Sequence, residues 1–252
     1  MPMFMRLVQV KVRPDMADSL PLMYSERIIP ALRSSPGCLY ASLIRSVGNP
    51  EEAISMTLWD SQQHAEEYEQ GGLFQKLLGE ARPYLAETSE WKVQLSKDFT
   101  LQYQPVPEEP VVKSLHVTAD SGSMLSAADR GRMFVRIVSV HLRAGAKEEF
   151  ARLYAAEIIP TLLEVKGCRY AFLTEGLEER NEVLSITIWE TAEDATAYEQ
   201  AGIFRHLQAK VEHTYSDLYL WKLAAEKKSG QSVSTTDDLH VRGYDVVTGS
   251  SF

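Results

Sequence analysis

Residues 4–13 (FMRLVQVKVR) alternate in the two-residue rhythm of a β-strand, with Val8, Val10 and Val12 on one side and Met5, Leu7, Gln9 and Lys11 on the other. Helical spacing follows over residues 15–32 through Leu20, Met23, Ile28 and Leu32, with Asp15 placed to cap the start. Pro30 predicts a kink or early termination in the last turns, and Ser34-Ser35-Pro36-Gly37 is a stop built of turn residues. Two strands, 38–45 and 53–60, are joined by Ser46-Val47-Gly48-Asn49-Pro50, a hairpin connection. On the second of these, Ile54, Met56 and Leu58 form one face and Ser55, Thr57 and Trp59 the other. Ser61 caps a helix through Tyr68, Gly71-Gly72 breaks it, and a helical run over 73–85 leads to a short strand over 91–95. The order β-α-β-β-α-β predicts a ferredoxin-like unit, a four-stranded antiparallel sheet with both helices on one face.

The whole pattern returns 130 residues later. Residues 3–95 slide onto 133–225 without a gap, about 29 of the 93 pairs are identical, and most of the others exchange one apolar residue for another. Trp59, Pro30, Gly37, Cys38, Tyr40, Tyr68, Phe74 and Trp91 meet Trp189, Pro160, Gly167, Cys168, Tyr170, Tyr198, Phe204 and Trp221. A period this long makes each repeat a domain of its own. The sheet face without helices is assigned Leu7, Gln9, Ser55, Thr57 and Trp59, partly apolar and poorly suited to water. The second copy is its natural cover. The fold class expected is therefore α+β, two ferredoxin-like (βαββαβ) repeats packed sheet to sheet as a barrel with the helices outside.

The domains fall at 1–95 and 132–225, with a linker at 96–131 and a C-terminal arm at 226–252. Both connecting segments contain a strand pattern, near 110–117 and near 239–247, aligned at an offset of 124. They read as arms that pair with an edge strand of the other half and hide it from aggregation.

Composition narrows the function classes. The net charge of −9 and a pI near 5.2, with no basic run, argue against a nucleic-acid partner. No apolar stretch is long enough for a membrane helix, and residues 1–6 lead straight into a strand pattern without a signal-peptide core. The two cysteines occupy equivalent positions, one per repeat, so a duplicated core residue in a reduced, cytoplasmic protein is the simplest expectation. CxxC, HExxH, Walker A, GxGxxG and GxSxG patterns are missing, which removes the motif support for nucleotide-driven, zinc-hydrolytic and serine-nucleophile chemistry.

Three features in each repeat resemble the antibiotic biosynthesis monooxygenase family of the dimeric α+β barrels. These are the turn at Gly37-Cys38 or Gly167-Cys168, the strand ending Leu58-Trp59-Asp60 or Ile188-Trp189-Glu190, and the helix ending Tyr68-Glu69-Gln70-Gly71-Gly72-Leu73-Phe74. The likeness covers about three quarters of the chain. It implies a cofactor-independent oxygenase of a small aromatic or quinol-like molecule; the alternative is a non-catalytic small-molecule-binding or scaffold protein with the same barrel. A His often stands nine residues after the strand Trp in this family; here Tyr68 and Tyr198 hold that place. The haem-degrading branch is not matched, since Val8, Gln9, Val138 and Ser139 supply no Asn and the later His positions hold Leu78 and Gln208.

Candidate catalytic residues are therefore Tyr68 and Tyr198, as donors to a phenolate-like intermediate, and His141, which replaces Lys11 and could act as a base near neutral pH. Candidate substrate contacts are Trp59 and Trp189, as flat floors between sheet and helix, with Tyr40, Tyr170, Phe74 and Phe204. Tyr40 and Tyr170 are assigned the same strand faces as Cys38 and Cys168. Arg6–Glu69 and Arg136–Glu199 read as repeated salt links. His206 and His213 lack a third ligand at metal spacing, so neither metal nor cofactor is expected. The partner is a small-molecule ligand, in a monomeric pseudo-dimer or a homo-oligomer of it.

Overall fold

The computed structural model describes residues 3–95, 101–107, 109–122, 133–177 and 181–252, and their side chains except those of 88–95 and 101–107. Parts of the sequence-defined linker, at 96–100, 108 and 123–131, thus lie outside the described residues. The first repeat runs β1 (Phe4–Lys11), α1 (Ser19–Met23), α2 (Ile29–Arg33), β2 (Cys38–Ser46), β3 (Glu52–Trp59), α3 (Gln62–Gln70) and α4 (Leu73–Ala81). β4 (Glu87–Leu95), β5 (Leu101–Pro107) and β6 (Val111–Asp120) follow. The second repeat runs β7 (Phe134–His141), α5 (Lys147–Leu153), α6 (Ile159–Glu164), β8 (Cys168–Gly176), β9 (Glu182–Trp189), α7 (Ala192–Gln200) and α8 (Ile203–Val211). α9 (Asp217–Ser229) and β10 (His240–Ser251) complete the chain.

Eight strands close into one antiparallel barrel in the order β1-β3-β2-β10-β7-β9-β8-β6. The two repeats therefore do pack sheet to sheet within one chain. The fourth strand of each sheet, however, is not the one expected. β4 pairs with β5 in a separate two-stranded sheet, and the equivalent of residues 91–95 in the second repeat lies within α9. The different fate has a local cause. In the second copy, Ser216 caps the segment through the Tyr219 N–H (3.2 Å), and Leu223-Ala224-Ala225-Glu226-Lys227-Lys228 is a run of strong helix formers.

The vacated positions are filled by the arms. β6 lies between β1 and β8, and β10 between β7 and β2, so each arm completes its own half and also zips onto the other. Lys113 pairs with Leu7 and Arg242 with Ile137, so the arms are equivalent at an offset of 129, not the 124 suggested by their Leu-His-Val likeness.

Register also corrects the assignment of β3. Leu7 stands opposite Met56 and Val8 opposite Ser55, and residues directly opposite in a ladder share a face. Ile54, Met56 and Leu58 therefore enter the barrel with Met5 and Leu7, while Ser55, Thr57 and Trp59 face the helices. Either face of β3 is apolar enough for an interior, so its own pattern does not choose. Tyr40, Tyr170, Phe172, Ile44, Ile186 and their neighbours fill most of the barrel. A bulge between Cys38 and Tyr40 sends Cys38 to the helix side and Tyr40 into the barrel, as its counterpart does for Cys168 and Tyr170.

Pro30 does not end its helix. The turn before it, Tyr24–Ile28, is a π-helix in which the Ile29 N–H reaches the Tyr24 carbonyl, and α2 continues beyond to Arg33. Tyr154–Ile158 repeats this before Pro160. Asp15 does not cap α1; it sits in a preceding 3₁₀ turn and binds Arg13 at 2.7 Å. Ser61 and Thr191 do cap α3 and α7, accepting from the N–H groups of His64 and Asp194. Gly37 and Gly167, at φ of 73° and 82°, are demanded twice over. A Cβ would stand 2.1 Å from the His64 ring in the first and 2.5 Å from the Asp194 side chain in the second.

Candidate functional site

The outer face of each half-sheet and its helices enclose a cleft, one of about 60 Å³ in the first half and one of about 40 Å³ in the second. β1 contributes Arg6, the π-turn contributes Tyr24, β3 contributes Ser55 and Thr57, and the helices after it contribute Tyr68 and Phe74. Arg136, Tyr154, Ser185, Thr187, Tyr198 and Phe204 repeat this set.

At the back of the first cleft Trp59 is wholly buried, and its indole N–H donates to Thr57 Oγ1 (2.9 Å). Trp59 does not itself line the opening. It supports the Tyr68 ring at a centroid distance of 5.1 Å, and Trp189 supports Tyr198 at 5.0 Å. Tyr68 in turn meets Phe74 edge-on at 5.9 Å. The Arg6 guanidinium lies over both rings, at 5.7 Å from Tyr68 and 4.8 Å from Phe74. Arg136 does the same over Tyr198 and Phe204, at 5.7 and 4.2 Å.

The arginines are the charged groups of these clefts, with 1% and 3% exposure. Each meets the glutamate on the helix, Arg6–Glu69 at 3.1 Å and Arg136 Nε–Glu199 at 2.6 Å. Glu69 nevertheless approaches Arg6 out of line. None of Nε, Nη1 or Nη2 makes a well-formed hydrogen bond among the described residues, and Arg136 Nη2 is likewise unsatisfied. Buried donors are nearly always satisfied by protein or ordered water, so these are the atypical polar atoms of the cleft. Burial lowers the Arg6 pKa, against the opposing pull of Glu69 and Tyr68.

Burial also marks the phenols of the clefts. Burial pushes Tyr68 and Tyr198 above the ordinary phenol value, with Arg6 and Arg136 opposing the shift. Tyr24 is raised by burial too, although its hydroxyl shares a 2.8 Å hydrogen bond with Ser55 Oγ and donates to the Ser42 carbonyl. Tyr154 and Ser185 repeat the pair at 2.7 Å. All four phenols are neutral at physiological pH and can donate a hydrogen bond or proton.

Of the residues singled out in the sequence, Tyr68, Tyr198, Phe74 and Phe204 line the clefts, and Trp59 and Trp189 stand behind them. Tyr40 and Tyr170 do not reach them, because the bulge turns them into the barrel. His141 shares the inward parity of Ser139 at the end of β7, opposite Glu182, but lines neither a cleft nor the cavity beside it. His213 faces Glu149 at 3.2 Å. Among the described residues no group of three metal-binding side chains occurs, and no helix is long and apolar enough to cross a membrane. The sequence reading leaves Tyr24, Tyr154 and Ser185 out and gives Ser55 only a place on a strand face. Their identity in both copies was the available signal.

Comparison with known proteins fits this geometry. Candidate monooxygenases from Fusobacterium nucleatum and Lactobacillus acidophilus share the fold over 99% and 100% of this chain and 94% and 97% of theirs, at 8% identity and TM-scores of 0.67 and 0.68. An anthrone oxidase-like protein aligns over 100% of this chain and 94% of its own, at 14% identity and a TM-score of 0.58. Comparison with curated proteins gives no match. The profile of the antibiotic biosynthesis monooxygenase family matches residues 3–79 and again 133–210, more than half of the chain. With both repeats matched and the barrel closed between them, the chain belongs to the antibiotic biosynthesis monooxygenase family.

Proposed function

We propose that the chain is a cofactor-independent monooxygenase of small phenolic or quinol-like aromatics, with one cleft per half as its site. The observation that carries this reading is the buried guanidinium with unused donors, set between aromatic rings in an apolar cleft. An electron-rich aromatic anion reacts with dioxygen directly once its charge is held in place and water is kept away. Arg6 or Arg136 receives the anionic oxygen. As dioxygen bonds to the activated ring carbon, the substrate oxygen returns to a carbonyl and the charge passes to the distal oxygen of the adduct, to which the neutral Tyr68 or Tyr198 phenol gives a proton. Loss of water from the hydroperoxide, with the proton left on that carbon returning to the tyrosine, completes the two-electron oxidation. Thr57, Ser55 and Tyr24 fix the polar wall opposite. This assigns the tyrosines as proton donors and leaves His141, outside both clefts, without a part in the step.

The size of the clefts supports a second reading. Volumes of about 60 and 40 Å³ are small beside the several hundred cubic ångströms of a typical ligand pocket, which suits a binding or scaffold protein whose clefts are mostly closed. Oxygen uptake separates the two. The oxygenase reading expects uptake with hydroquinones or anthrone-like phenols that falls at least tenfold in Tyr68→Phe combined with Tyr198→Phe. No uptake with any of them, or uptake indifferent to both tyrosines and both arginines, leaves the binding reading.

A further inference from the structure

We infer that the open end of the barrel is a second ligand site, built by the two halves together, for a small amphiphilic monoanion such as an aromatic carboxylate. Side chains of the central cluster pack the middle of the barrel, and at this end there is a cavity of about 290 Å³. It is walled by β1, β3 and β6 with their counterparts β7, β9 and β10, so it lies on the axis relating the repeats. It shares no lining residue with either cleft.

The lining is two-sided. Leu7, Ile54, Ile137 and Leu184, all buried, form an apolar floor. Above it β10 turns three alternate residues inward, His240, Arg242 and Tyr244, where the equivalent strand β6 carries Val111, Lys113 and Leu115. His240 and Arg242 are exposed at the mouth and Tyr244 is buried beneath them, so this arm sets polar groups over the apolar floor. Lys113 is matched by Glu182 at 2.9 Å, and Glu182 also accepts from Ser139. Arg242 instead faces the buried Tyr244 phenol and has no carboxylate partner among the described residues. Among the described residues the rim thus offers an exposed guanidinium, Arg242, that no carboxylate pairs, beside a carboxylate that would repel a second negative charge.

Volume sets the size of the guest. At roughly 30 Å³ per water, the cavity equals about ten water molecules, room for one substituted benzene ring together with several waters. A ring on the aliphatic floor with its carboxylate on Arg242 satisfies both surfaces, and the planar guanidinium suits a carboxylate in two-point contact.

Isothermal titration of the full chain with benzoate, benzyl alcohol and inorganic phosphate tests this. Benzoate is expected to bind once per chain, at least tenfold tighter than either of the others. Arg242→Gln should weaken benzoate at least tenfold. Val111→Trp should abolish binding, because this 57% exposed position at the rim can fill the cavity with little strain on the fold. Tyr68→Phe with Tyr198→Phe should leave benzoate affinity unchanged. Three results would overturn the site: no benzoate binding, binding unaffected by both Arg242→Gln and Val111→Trp, or binding lost in the tyrosine pair. Phosphate or benzyl alcohol binding as tightly as benzoate would overturn the ligand class. None of these readouts depends on oxygen uptake.

Discussion

Arg6 separates a functional from a structural account of the clefts at the level of one side chain. A buried ion pair held for stability should cost about 3–5 kcal/mol when one partner is removed. Glu69, however, is 45% exposed and returns to water easily, while the Arg6 donors are already unsatisfied. Arg6→Met is therefore expected to leave urea stability unchanged or raise it by about 1 kcal/mol, while abolishing oxygen uptake in the first half. A loss above about 3 kcal/mol would make the arginine structural. Tyr24→Phe should cost about 1 kcal/mol by the same measurement, since it strands the Ser55 hydroxyl. The cysteines give a pH signature. Burial raises both thiols from 9.0 to about 12, so between those values the folded chain holds protons that the unfolded chain has lost. Stability then falls as pH rises through this window, by about 1.4 kcal/mol per unit for each thiol, and urea midpoints above pH 9 should show the decline. Below pH 9 neither thiol contributes a slope.

Among the elements, the strands and helices of each repeat were legible wherever a single surface decided the pattern. On β1 the polar Gln9 and Lys11 share a side with Met5 and Leu7, and this mixed side is the one that faces the barrel while Val8 and Val10 face the helices. β3 was read with its faces exchanged, since both sides are buried and only the Leu7–Met56 pairing distinguishes them. The π-turn before Pro30 was not legible, because nothing local marks a wider turn from a regular one until the proline has to be accommodated. The bulge at Cys38 likewise hid the turn of Tyr40 into the barrel. Of the cleft, Tyr68 and Phe74 are readable from the segment that joins α3 to α4, but Tyr24 joins them only through tertiary packing. The two repeated tryptophan positions make the contrast measurable. Trp59, fully buried with a bonded indole, should cost about 3–5 kcal/mol as Trp59→Ala, whereas Trp221, 58% exposed on α9, should change urea stability by less than about 0.5 kcal/mol as Trp221→Ala.

For the molecule as a whole, the exchanged arms make two repeats into one cooperative object. β6 and β10 each hold both halves in a single hydrogen-bonded ring. Calorimetry should accordingly show one unfolding transition with equal calorimetric and van't Hoff enthalpies. Deleting residues 240–252 should split or abolish it and drive self-association in gel filtration, because β2 and β7 would both become open edges. Two independent transitions in the intact chain would contradict this.

The closing strand also imposes an order on synthesis. β2 emerges early, yet its outer neighbour, β10, is made nearly two hundred residues later, and the Phe252 N–H bonds to the Leu39 carbonyl. Throughout that interval a nascent chain carries a raw strand border that no later part of the first repeat can seal. Ribosome-bound intermediates of this protein are thus natural clients for chaperones, and slowing translation over residues 120–240 lengthens their exposure without altering the finished molecule.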